Sequence, residues 1–70
     1  MSRLSDREFE VFRLIGRGVG PGEIATRLGL SVKTVESHRE NIKQKLNLPN
    51  GRELLRAAMQ HVEDEQTPRF

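Results

Sequence analysis

The chain has 70 residues, a net charge of +2 and no cysteine. It therefore holds one small domain at most, and neither a disulfide nor a thiolate metal site. No apolar run is long enough to span a membrane and none has the form of a secretory leader.

In chain order, residues 1–3 precede any helix signal and are expected to be a disordered start. Ser5 reads as an N-cap, and Glu8 completes a capping box with it. Leu4 and Phe9 stand at the two ends of a hydrophobic staple, and Asp6 and Glu8 suit the positive end of the helix dipole. Val11, Phe12, Leu14 and Ile15 supply the apolar stripe of this first helix, which is expected to end near Gly16 and Gly18. A glycine-rich connector leads to Pro21, which is tolerated in the first turn of a helix. That second helix is expected over residues 21–28.

Gly29 falls where the helix must stop and the chain must take up a positive φ. Leu30 can pack under the turn, and Ser31 caps a third helix expected over about 32–47. Its apolar residues Val35, Ile42 and Leu46 form one stripe. Leu48 and Pro49 break the chain. Asn50 then caps a fourth helix, expected over about 51–62, with Glu53 three residues on. Leu54, Leu55, Ala57, Ala58, Met59 and Val62 make this helix apolar on more than one side. Residues 63–70 read as a polar, frayed tail.

The expected fold is all-α, a four-helix domain over residues 4–62. Its core candidates are Val11, Phe12, Ile15, Ile24, Ala25, Leu28, Leu30, Val35, Ile42, Leu46, Leu54 and Ala58. Residues 21–40 carry the spacing of a helix-turn-helix. Ile24, Ala25 and Leu28 face inward before the glycine turn, and Val35 faces inward after it. Ala25 is small where two steeply crossing helices touch.

With Val35, Ile42 and Leu46 inward, about 100° per residue turns Lys33, Glu36, Ser37, Glu40 and Gln44 outward. Their chemistry suits base edges in a major groove. Glutamate accepts from the cytosine amino group, serine bonds either way and lysine reaches guanine acceptors. Thr34, Asn41, Lys43 and Lys45 lie on the flanks, where side chains meet phosphates. The charge is unevenly spread in the same sense. Residues 31–48 set Lys33, Arg39, Lys43 and Lys45 against two glutamates, whereas the chain beyond is acidic, and a basic middle favours a polyanion. The competing reading is a solvated surface in which Lys33, Glu36 and Glu40 pair along the helix. His38 sits beside the buried stripe, either as a packing residue or as a phosphate donor.

The segments LSDREFEVFRLI, EIATRLGLS and KTVESHRENIKQKLNL, followed by Asn50 and a closing helix, resemble the LuxR-type DNA-binding domain. This is the effector domain of NarL/FixJ response regulators and of the GerE-like regulators. The resemblance covers roughly residues 4–62. It implies a third helix in the major groove, with Glu36, Ser37 and Glu40 as base readers. Lys33, Thr34, His38, Asn41, Lys43 and Lys45 would then make phosphate or groove-wall contacts. It also implies a homodimer through the last helix on paired half-sites, for which Leu55, Met59 and Val62 form the expected face. The chain departs from the family at Gly20, Pro21 and Gly22, where a hydroxyl or amide and then a basic side chain often stand. Phe9 fills a position that is often polar.

The implied partner is double-stranded DNA, with RNA polymerase as a further candidate. The expected setting is the bacterial cytoplasm, at the nucleoid. No cofactor, metal or small-molecule ligand is expected. The chain has no glycine phosphate loop and no nucleophile–base pair at a motif spacing, so it does not read as an enzyme. Two other readings are a region-four-like domain of a sigma factor and a helical protein-interaction module. The first lacks its arginine-rich helix here. The second would use the last helix and Phe9.

Overall fold

The computed structural model describes residues 3–66. Residues 1–2 of the expected disordered start and residues 67–70 of the expected tail lie outside the described residues. Four helices follow one another: α1 (Asp6–Gly16), α2 (Pro21–Leu28), α3 (Val32–Lys45) and α4 (Gly51–Gln66). The described residues contain no strand. The domain is thus all-α, as its spacing predicts, and α4 continues through residues 63–66.

Local chemistry sets the helix limits. Ser5 accepts from the Glu8 amide through its hydroxyl, and Glu8 Oε1 accepts from the Ser5 amide at 2.9 Å, so the capping box is complete. Ser31 caps α3 through the Thr34 amide at 3.1 Å. Asn50 caps α4 through the Glu53 amide at 2.9 Å. These bonds satisfy backbone donors that a helix start leaves free.

The other ends share one device. Gly18 (φ 83), Gly29 (φ 67) and Asn47 (φ 58) are left-handed. After each, an amide bonds back across the turn: Val19 to the Leu14 carbonyl, Leu30 to the Ala25 carbonyl and Leu48 to the Lys43 carbonyl. Each is a helix-ending turn that returns two amides to the last carbonyls. Asn47 therefore lies beyond α3, where the sequence pattern alone extends the helix to it.

Val11, Phe12, Ile15, Ile24, Ala25, Val35, Ile42, Leu54 and Ala58 form the buried core. Leu28 and Leu30, expected within it, pack against its edge half-buried. Leu46 departs from expectation. It is 37% exposed because the chain leaves the helix at this residue, and it lines a surface groove with Leu4, Phe9 and Phe12.

Val62 departs in the other direction. Expected on an outer face, it is 8% exposed. The cause is Gly16, where α1 and α4 cross so closely that a Cβ would lie 2.3 Å from the Ala58 carbonyl oxygen and 2.7 Å from Val62 Cγ2. The same two helices are joined by Arg13 to Glu65 at 3.2 Å. Phe9 also meets His61 of α4, its ring edge-on with centroids 5.2 Å apart.

Candidate nucleic-acid interface

The helix-turn-helix pairs α2 and α3 through a turn in which three features coincide. Gly29 takes the left-handed conformation with nothing within 4 Å of its missing Cβ. Ala25 and Ile24 are buried against Val35 and the rest of the core. Ser31 starts α3 at once. The crossing of the two helices therefore rests on buried packing, while the space beside Gly29 is open.

Val35 and Ile42 of α3 are fully buried. The inward anchoring of this helix leaves Lys33, Glu36, Ser37, Glu40, Asn41 and Gln44 exposed. The residues read from the sequence as base contacts thus share one solvent face, together with the flanking Asn41. Two of them carry cations at their shoulder. Arg39 Nε lies 3.9 Å from Glu36 Oε1, and Lys43 pairs with Glu40 one turn along. The cations are more covered than the carboxylates: Arg39 and Lys43 side chains are 24% and 22% exposed, against 53% and 62% for Glu36 and Glu40.

The flank residues divide. Thr34 is half-buried, and its hydroxyl meets that of Ser31 at 2.9 Å. His38 is half-buried, and its shielded Nδ1 has no hydrogen-bond partner among the described residues. Lys45 is held by the fold. Its Nζ donates to Oε1 of the buried Glu8 at 2.7 Å, tying the end of α3 to the start of α1. That ammonium, together with the Ser5 amide, holds the Glu8 carboxyl below the usual glutamate range, against the opposing effect of burial.

Arg39 was not singled out by sequence reasoning. Besides Glu36, its guanidinium comes within 3.7 Å of the position a Cβ would take at Gly51, at the foot of α4. The sequence signal that finds it is the three-residue spacing from Glu36. On α4, Leu55 and Met59 are exposed, at 42% and 53%, while Val62 is interior. No group of three or more acidic, histidine or cysteine side chains able to hold a metal occurs among the described residues. Nor does any described helix have the length and apolarity to cross a membrane.

Comparison with known proteins agrees with this architecture. The sequence model of a family described as bacterial regulatory proteins, luxR family, matches residues 2–58. The chain is 52% identical over 56 residues to the oxygen regulatory protein NreC of Staphylococcus carnosus (strain TM300), covering 80% of this chain and 26% of that protein. NreC proteins of Staphylococcus epidermidis and Staphylococcus aureus strains are 48% identical over 56 residues, with the same coverage. The chain therefore spans about a quarter of the length of the curated relatives it matches. No solved structure matches it.

Proposed function

The chain belongs to the luxR family of bacterial regulatory proteins, whose helix-turn-helix domains bind DNA, and from that premise we propose that it reads specific double-stranded sequences through α3. In this reading α3 lies in the major groove, with Lys33, Glu36, Ser37 and Glu40 toward base edges. The observation that carries it is the two-sidedness of α3, with Val35 and Ile42 fully buried and those four side chains exposed.

Thr34, His38, Asn41 and Lys43 then meet the phosphates that fix register. Lys45 has two N–H donors beyond the one given to Glu8, and these are available to a phosphate. Gly20 caps α2 without a side-chain bond. Backbone amides at the start of α2 replace the side chains that Gly20, Pro21 and Gly22 lack, since a helix N-terminus favours an anion. Leu55 and Met59 form the contact between two copies on paired half-sites. Val62 supports that face from beneath.

The relatives are named as oxygen regulatory proteins. For this chain the corresponding proposal is the DNA-binding effector part of a transcription regulator of response-regulator type. It would act in the bacterial cytoplasm at the nucleoid, with RNA polymerase as a partner of the DNA-bound form.

The test is selection of duplexes from a random pool at low salt. Enrichment of a repeat with half-sites about one helical turn apart supports a dimeric operator reader. Binding that does not weaken as salt rises would overturn the reading, because phosphate contacts release counterions.

A further inference from the structure

We propose that Glu36 and Glu40 make this chain a reader of cytosine, each carboxylate accepting from the N4 amino group of one cytosine in the major groove. Arg39 and Lys43 are the residues that allow two carboxylates to enter that groove. The inference rests on the groove-reading role given to α3 above and names the class of half-site it takes.

A carboxylate only accepts hydrogen bonds. The major groove offers two kinds of donor, the amino groups of cytosine and adenine. Adenine presents its N7 acceptor beside that amino group, which suits a side chain that both donates and accepts and repels one that only accepts. Cytosine offers its amino group without an adjacent acceptor on the same base. Glu36 and Glu40 are more than half exposed on the outward face of α3, so both reach past the helix surface.

Two bare carboxylates would be driven from a groove lined by phosphates. Here each has its own cation one turn along, Arg39 for Glu36 and Lys43 for Glu40. The four side chains sum to zero charge. The cations are mostly covered and the carboxylates are not, so the neutralising charge sits behind each reader, near the groove wall. Arg39 is further placed by the foot of α4, within 3.7 Å of the Gly51 Cβ position. It is a positioning residue for Glu36.

Glu36 and Glu40 are four residues apart, a rise of about 6 Å along the helix. Base pairs are spaced by about 3.4 Å. The expected half-site therefore carries two cytosines, on either strand, within roughly two base pairs of each other.

The experiment is duplex selection with the chain as it stands and with E36A, E40A and R39A. The parent should enrich both cytosines. E36A should lose the preference at one position and keep the other, and E40A the reverse. Each of these two variants should also bind unrelated duplexes more tightly, because a phosphate-repelling charge has gone. R39A should blunt discrimination at the Glu36 position alone, which a purely structural role would not do. The enriched duplex is then remade with 2-pyrimidinone, which lacks the amino group, at each cytosine in turn. The parent should lose about five- to a hundredfold in affinity, and the matching alanine variant should not notice.

Half-sites without cytosine at these positions, or undiminished binding to the 2-pyrimidinone duplex, would overturn the proposal while leaving the groove reading intact. Absence of salt-sensitive binding to any duplex would remove the groove reading and this proposal together.

Discussion

An alanine Cβ at Gly16 would lie 2.3 Å from the backbone oxygen of Ala58, and backbone cannot swing aside. Alanine gains at most about 1 kcal/mol over glycine in a helix, whereas forcing apart a packed contact costs about 1–3 kcal/mol. Gly16→Ala should therefore destabilise the domain, seen as a lower urea midpoint. Gly29→Ala meets nothing within 4 Å and should cost only the left-handed backbone, about 1–2 kcal/mol. Its effect on DNA affinity should be small, since the crossing of α2 and α3 rests on the buried packing of Ile24, Ala25 and Val35.

Glu8 tests a different term. Its carboxyl titrates below the ordinary range because Lys45 and the Ser5 amide hold the charged form. Its contribution is thus fully present above the ordinary glutamate value, about 4.3, and is lost as pH falls from there toward the lowered value. Urea midpoints measured from pH 7 downward should drop across that window. The drop should shrink in Glu8→Gln, which is less stable at neutral pH.

For the elements, the starts of α1, α3 and α4 were legible because caps act over three residues. Ser5 with Glu8, Ser31 with Thr34 and Asn50 with Glu53 are close enough in sequence for the pairing to be read without a fold. Asn47 was harder, since asparagine enters the left-handed region only when the turn asks for it. The cap of α3 also supports an energetic expectation. Ser31→Ala removes the acceptor for the Thr34 amide and should cost about 1 kcal/mol, read from chemical denaturation. Lys43 belongs to the same helix but to the binding ledger. Lys43→Ala should weaken DNA affinity across sequences, lower the slope of log affinity against log salt by about 1, and blunt discrimination at the Glu40 position as the loss of its paired cation requires. Unchanged salt dependence would take Lys43 off the groove wall.

At the scale of the molecule, residues whose role depends on a distant partner were illegible. Val62 looks like an outer apolar residue until Gly16 brings α1 against it. Lys45 looks like a free groove-wall cation until Glu8, far away in sequence, is found beneath it. Phe9 looks like a staple partner of Leu4 alone until His61 of α4 is found against its ring. The exposed pair Leu55 and Met59 takes part in none of these three contacts. Replacing both with glutamate should leave folding within about 1 kcal/mol, as for two ordinary surface changes. It should abolish paired occupancy on an operator, measured by sedimentation of the DNA complex.

The attachment of α4 has a consequence for how such a regulator can change. This helix is fastened to α1 by the Gly16 crossing, the Arg13–Glu65 pair and the Phe9–His61 contact, and it touches α3 only slightly. In the proposed dimer, a substitution on the outer side of α4 would thus alter how far apart two copies stand without disturbing which letters each copy prefers. On that proposal, spelling and spacing would be inherited through separate parts of one small chain, so a duplicated gene could drift in either while keeping the other.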